Sequence, residues 1–360
     1  MSIKTVLYLN HAEADYGGSF LFNGLCHVLG DENVWDYPLK LSYHGEVHHY
    51  QLDGRDPGLT APCPWMPSRA LPWEGARDDQ AYFDEITRKL RRGEFDLVVV
   101  ESFRPLAVAT FNRLKYDIRS NGLTVIAHDG EDFDTIQMGA FTDVMPRVLL
   151  KREMTHGQYE IAPTRMRAYH THVEPFPFSW PEPTWFVDAC PRIDCNDWAP
   201  TYDVAFSCGR TWEGRQHVAD ALRLCSDFRH WVAISPDDLG ENVGLAPWPI
   251  YLGILQSSQM GINVRGYGYD TVRFWETAAN TVLVTERLPL HMPAPFNHGS
   301  TCLMYDHYDE VVPLIREWKN RPDELTAIYR NGYEHLLRHH TNRARAQRAL
   351  QLAEEHKLHR

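Results

Sequence analysis

Short apolar runs alternate with helical stretches in two separate blocks of this chain, and that pattern constrains the fold more than any single motif. In the first block, Thr5-Val-Leu-Tyr-Leu9 reads as a buried strand. The loop Asn10 to Gly18 ends in Gly17-Gly18, and an apolar helix follows from Ser19 to about Leu29, with Ser19 as its N-cap. Residues 30–75 are irregular in pattern, and Asp56 to Trp73 holds five prolines, the mark of a long surface loop. Tyr82, Ile86 and Leu90 recur on one face of a helix over Asp78–Arg92, and Gly93 stops it. Leu97-Val-Val-Val100 is apolar throughout, as a parallel strand buried on both faces must be. Pro105 to about Ser120 is again helical, Asn121-Gly122 ends it, and Leu123-Thr-Val-Ile-Ala127 is the next strand.

The alternation pauses between Glu174 and Pro200, where six prolines, three tryptophans and two cysteines crowd together, a composition shift that signals a domain boundary. It then restarts. Strands are expected at Tyr202–Ser207, His230–Ile234, Thr281–Val284 and Cys302–Tyr305. Helices are expected at Trp212–Cys225, Ile250–Ser258, Thr271–Ala279 and Tyr308–Lys319, followed by one long helical tail from Pro322. Strands that alternate with helices imply parallel sheets. The expected fold is therefore α/β, with two Rossmann-like domains facing across a cleft at the carboxyl ends of their strands, where open sheets bind ligands.

Bulk properties exclude several classes. At 43% hydrophobic and 12% aromatic residues the chain can build packed cores. No run approaches the roughly 18 apolar residues that a membrane span needs. Met1 to Leu9 lacks the features of a signal peptide, so a cytoplasmic location is expected. Seven cysteines, with no CxxC, argue for reduced thiols. A net charge of −12 disfavours nucleic-acid binding.

Three segments combine residue types that carry chemistry. Ser207-Cys-Gly-Arg-Thr-Trp-Glu-Gly-Arg215 leads from a strand into a helix, where free N–H groups and the helix dipole attract anions. Gly209 lets the backbone approach a ligand, and Arg210 and Arg215 can pair with phosphate oxygens. An ordinary strand-to-helix turn with two surface arginines explains the segment equally well. Gly266-Tyr-Gly-Tyr-Asp-Thr-Val-Arg-Phe-Trp-Glu276 is a glycine-rich turn into a helix, with Asp270 or Thr271 as N-cap. Arg273 and Glu276 share a face there: a carboxylate can hold both ribose hydroxyls and an arginine a diphosphate, or the two can form a plain surface pair. His128-Asp-Gly-Glu-Asp-Phe-Asp134 follows the Leu123–Ala127 strand and packs four carboxylates into six residues. Mutual repulsion would raise some of their pKa values toward general-base use. An acidic helix cap and a divalent-metal site are the other readings, and no metal is assigned because short acidic runs are common. His44, His48 and His49 lack zinc-ligand partners, Cys190 and Cys195 lack a second pair, and Arg338, Arg343, Arg345 and Arg348 suit a solvated helix face.

In chain order, these pieces resemble the CgeB-like (spore maturation protein) glycosyltransferases of the GT-B superfamily. The resemblance runs from about residue 95 to 350. It is carried by Asp129-Gly-Glu-Asp132, Lys151-Arg-Glu153, Glu174-Pro-Phe-Pro-Phe-Ser179, Gly209-Arg210, Gly266 to Glu276, Thr281-Val-Leu-Val284, Asn331-Gly332 and His340-Thr341 with Arg345. It implies an acceptor-side domain over 1–178, a nucleotide-sugar domain over 179–335, and a last helix, 336–360, that crosses back to the first domain. It also implies that Glu276 contacts the donor ribose, with Arg273, Arg210 and Arg215 on the phosphate side and Gly209, Gly268, Asp270 and Thr271 around them. The sequence departs from the family at Asn280, where a glycine is usual, and at Gly268, where the first glutamate of an E-x7-E pattern would stand.

The expected activity is sugar transfer from a nucleotide-sugar, UDP- or GDP-linked, to a hydroxyl acceptor, with no metal and no separate cofactor. Asp129, Glu131, Asp132 and His128 are the candidate bases if the reaction inverts. A non-catalytic sugar-nucleotide binder and a glycosyltransferase acting on hydroxylated nucleic-acid bases are the rival readings.

Overall fold

The computed structural model describes residues 3–11, 16–44, 69–136, 138–181, 200–209, 212–234 and 248–357. The chain divides into two units, Met1–Pro181 with Thr341–Arg360, and Glu182–His340.

Unit 1 is built on six parallel strands: β1 (Val6–Leu9), β2 (Val34–Tyr37), β3 (Leu97–Val100), β4 (Thr124–Asp129), β5 (Val148–Lys151) and β6 (His172–Pro175). Their order across the sheet is β2-β1-β3-β4-β5-β6. The helices are α1 (Tyr16–Leu29), α2 (Asp79–Arg91), α3 (Pro105–Ser120) and α4 (His156–Met166). α2 starts where Asp78 accepts the Ala81 N–H at 3.0 Å, and the chain leaves it through Gly93 at φ 69°. Tyr82, Ile86 and Leu90 are buried on its inner face, against a core that also holds Leu7, Leu9, Val98, Val100 and Phe111.

Unit 2 has five parallel strands in the order β11-β10-β9-β7-β8: β7 (Tyr202–Cys208), β8 (His230–Ile234), β9 (Ser258–Asn263), β10 (Val282–Glu286) and β11 (Leu303–Tyr305). α5 (Glu213–Arg223), α6 (Trp248–Gln256), α7 (Val272–Asn280), α8 (Val311–Trp318) and α9 (Pro322–His339) complete it. α10 (Asn342–Glu355) belongs to unit 1 and packs on α1. The contact is so close that a Cβ on Gly24 would stand 2.1 Å from the Asn342 carbonyl oxygen.

The expectation of two α/β domains on parallel sheets holds, with local corrections. α1 begins at Tyr16, so Gly17 and Gly18 lie in its first turn and Ser19 is not its cap. The reason is proximity: a Cβ on Gly18 would fall 1.7 Å from Glu101 Oε1, so only glycine lets the helix approach there. β2 lies in the stretch whose pattern looks irregular. β5, β6 and β9 carry Lys151, His172, Glu174 and Asn263 in strands where unbroken apolar runs were sought. The helix expected to end at Ser258 stops at Gln256, because Ser258 opens β9. The expected single tail is two helices, broken at His340 and restarted by Thr341, which accepts the Ala344 N–H. No helix among the described residues is long and apolar enough to cross a membrane.

Candidate functional site

Each sheet has one place where the chain winds away in both directions, and that is where open α/β sheets leave a crevice. In unit 2 it lies between β7 and β9, and in unit 1 between β1 and β3.

At the unit 2 switch point Arg215, on the first turn of α5, is 5% exposed. Its guanidinium donates to the carbonyls of Gly209 (2.9 Å), Val264 (3.2 Å) and Arg265 (2.8 Å), tying the ends of β7 and β9 together. Burial, and then the charge of Arg273, pull its pKa down to about 10, so it stays cationic at neutral pH. Arg273 rises from the first turn of α7. Burial works against its charge too, but Tyr251, Cys208 and Glu276 more than offset that. Its Nε is buried and has no hydrogen-bond partner among the described residues. Glu276 lies one turn on, 6% exposed. Two cations that repel one another, one with an unused donor, form a site that an anion would relieve.

The glycine-rich turn before α7 is held by its own side chains. Gly268 accepts the Gly266 N–H, and Asp270 accepts the Trp275 indole N–H at 2.9 Å. Thr271 caps α7 by accepting the Phe274 N–H and donates to Asn263 at 2.7 Å. Of the donor-side candidates, the fold brings Gly209, Arg215, Arg273 and Glu276 into one charged group, while Gly268, Asp270 and Thr271 shape the turn beside it. Arg210 lies outside the described residues.

On unit 1 the acidic run starts at the carboxyl end of β4, and three of its four carboxylates meet a cation, while Asp134 accepts the Thr155 hydroxyl at 3.3 Å. Buried Asp129 pairs with buried Lys151 at 3.0 Å. Glu131 pairs with Arg104 at 3.2 Å, and Asp132 with Arg152. Arg152 also lies over the Phe178 ring, and His128 packs edge-on against Phe176. The expected mutual repulsion is therefore answered by counter-charges, which the sequence hides because Lys151 and Arg152 come some twenty residues later. The run caps no helix either: none of the described residues between Asp129 and β5 is helical. Of the four tail arginines Arg338 and Arg343 are exposed, as expected of a solvated face, but Arg345 and Arg348 are not. Arg345 is buried over Phe176, and Arg348 donates to Glu174 at 2.8 Å.

Pattern reading did not single out the polar group at the unit 1 switch point. Glu101, fully buried just past β3, accepts the His11 N–H at 3.1 Å and the Tyr43 hydroxyl at 2.9 Å, with Lys40 3.7 Å away. Next to it Asp36 pairs with His44 at 3.0 Å, and the other nitrogen of His44 faces the carbonyls of Arg69 and Ala70. Acceptors on both nitrogens favour the doubly protonated imidazolium. Burial lowers its pKa, but the hydrogen bond and charge of Asp36 with the two carbonyls raise it further. His44 is thus the partner of a carboxylate, and His48 and His49 lie outside the described residues. The available signal was position: a carboxylate directly after an apolar parallel strand.

Residues 225–351, about a third of the chain, match the family described as "Glycosyl transferase-like". A glycosyltransferase from Rickettsia africae superposes with a TM-score of 0.61 at 9% identity, covering 99% of both chains. Sucrose-phosphate synthase from Thermosynechococcus elongatus does so with a TM-score of 0.56 at 13% identity, and Anabaena HepE in complex with UDP-glucose with 0.54 at 11%, each covering 98% of both chains. No curated protein matches the chain in sequence. The chain thus has the fold of the GT-B glycosyltransferases, and its residues 225–351 are similar to the glycosyl transferase-like family.

Proposed function

We propose that this protein transfers a sugar from a nucleotide-sugar donor to a hydroxyl acceptor, with the donor held at the β7–β9 switch point. The observation that carries the reading is the pair of buried arginines: burial and the charge of Arg273 hold the Arg215 pKa down, and the Arg273 Nε donor is unused among the described residues. A diphosphate at the carboxyl ends of β7 and β9 would satisfy both. As the glycosidic bond breaks, the leaving diphosphate gains negative charge, and fixed guanidinium groups stabilise it without reorganising. The arginines supply that counter-charge, so the reading includes no metal. Glu276, on the same face of α7, would take the ribose hydroxyls. The CgeB-like kinship read from Gly266 to Glu276 belongs to the same proposal.

Unit 1 would supply the acceptor side. Among its candidates Glu131 and Asp132 are the more exposed, while Asp129 is held by Lys151. An inverting reaction would take its base from this group or from His128.

HepE was solved with UDP-glucose, which makes UDP-glucose the first donor to try. The test is a thermal-shift panel of UDP, GDP, ADP, dTDP, CMP and their sugar conjugates, with and without magnesium, on wild type and Glu276→Ala. A ligand of the folded state raises Tm by linkage. One nucleotide should stabilise wild type without magnesium and fail on the variant. Equal stabilisation of both proteins would remove Glu276 from the site, and no stabilisation by any nucleotide would overturn the donor reading.

A further inference from the structure

The same switch point holds one negative group whose position the arginines do not explain. Glu286 is the last residue of β10, the strand next to β9. One of its oxygens accepts the Arg265 backbone N–H at 2.6 Å. Its other oxygen takes no hydrogen bond from the described residues, although Arg215 and Arg265 both act on its charge. Burial pushes its pKa above the usual carboxylate value, against the hydrogen bond and the two arginines.

Arg265 does not neutralise it with its side chain. That guanidinium lies over two rings, 3.7 Å from the Tyr269 centroid and 4.4 Å from that of Trp212. It donates to the Tyr267 carbonyl at 3.0 Å. The Trp212 indole is fixed in turn by the Tyr308 hydroxyl at 2.8 Å. The stack therefore holds the cation against the aromatics, while the Arg265 backbone holds the carboxylate. A half-buried carboxylate that closes no ion pair among the described residues, next to a site for anions, weakens binding of a bare diphosphate. It helps only a ligand that brings hydroxyl groups along with its phosphates, because an ionised carboxylate is an acceptor alone and its hydrogen bonds to hydroxyls are charge-assisted.

We propose that Glu286 accepts hydrogen bonds from the hydroxyls of the donor's sugar and sets the preference for a nucleotide-sugar over the nucleotide diphosphate alone. This rests on the donor site proposed above, and its test separates the two. Calorimetric titrations of UDP and UDP-glucose, and of the other nucleotide pairs if the panel selects one, are run on wild type, Glu286→Gln, Glu286→Ala and Glu286→Asp. The glutamine keeps the bond to the Arg265 N–H but presents an NH2 where the open acceptor was. It should bind the bare nucleotide as tightly as wild type or a few-fold tighter, and lose about tenfold in its preference for the sugar conjugate, the size of one charge-assisted hydrogen bond. The aspartate should recover part of that preference. Equal losses for nucleotide and conjugate would make Glu286 a support for the turn and overturn the proposal. An unchanged preference in all three variants, or a wild type without any preference, would overturn it as well while leaving the nucleotide site standing. A wild type that binds no nucleotide would remove the donor site and this proposal together.

Discussion

The two switch points are built from the same topology and balanced in opposite ways. Between β1 and β3 every charge meets its counterpart: Asp36 has His44, and Glu101 has Lys40, Tyr43 and the His11 N–H. Between β7 and β9 two arginines share a buried space, a donor is left over, and a carboxylate stands by without an ion pair. A network that satisfies itself adds rigidity. One that remains unsatisfied has a reason to bind, since natural sequences depart from self-consistency chiefly at functional sites. The difference is what supports unit 2 as the proposed place for the anionic donor, and it can be broken by experiment at either end.

The largest effect is expected at the self-satisfied end. His44→Ala leaves the fully buried Asp36 without its cation, and removing one partner of a buried pair costs about 3–5 kcal/mol. Urea denaturation should show unit 1 losing that stability while nucleotide affinity, measured where the variant is still folded, stays at the wild-type value. A large drop in affinity would mean that the unit 1 network also serves the donor, and the contrast would fail. Next comes Arg273→Gln, which should weaken nucleotide binding by about 2–3 kcal/mol, the order of a charge-assisted bond to phosphate. A variant that loses stability but binds the nucleotide with wild-type affinity where it is still folded would show that Arg273 is a structural cation only. Smaller still is Gly18→Ala. Its Cβ would meet the end of the Glu101 side chain, and overpacking of this kind costs about 1–3 kcal/mol. The loss should shrink in a Glu101→Ala background, as a double-mutant cycle would report.

The part of this contrast that was legible in the sequence follows a simple division. Chain-local patterns gave the α/β class: Leu97–Val100 and Val282–Val284 are apolar enough to be strands on sight, and Asp78 and Gly93 mark where α2 starts and stops. β9 was hidden because Ser258, Gly261 and Asn263 serve contacts rather than hydrophobicity: a Cβ on Gly261 would collide with Thr277, and Asn263 bonds Thr285 and Thr271. Arg215, Arg273 and Glu276 could be picked out because each opens or follows a helix start close to a glycine. The pairings Asp129–Lys151 and Asp36–His44 could not, because a counter-charge is set by which strands are neighbours. Arg265 and Glu286 are twenty-one residues apart and meet only through adjacent strand ends.

The smallest predicted effect distinguishes the two switch points by pH alone. The folded pKa of His44 is raised above its ordinary value of 6.5. The folded state therefore holds that proton more tightly than the unfolded chain does, and the stability this provides is complete below pH 6.5 and lost as pH rises through the folded value. Glu286 is also raised, from an ordinary 4.5, by burial. Its contribution is complete below pH 4.5 and is lost as pH climbs through its own folded value, so at neutral pH its ionised form weakens the empty protein. Both groups then cost stability with increasing pH, but in separate windows and in separate units. Subtracting the stability–pH curve of Glu286→Gln from that of wild type cancels every other titrating group and should leave a fall that begins near pH 4.5, with the variant the more stable at pH 7. The same subtraction with His44→Gln should leave a fall that begins near pH 6.5. A neutral-pH gain in Glu286→Gln, joined to its loss of sugar preference, would show that this carboxylate is kept for its ligand at the expense of the fold. A Glu286→Gln variant less stable than wild type at pH 7 would instead make the two switch points alike, both held together by their acids.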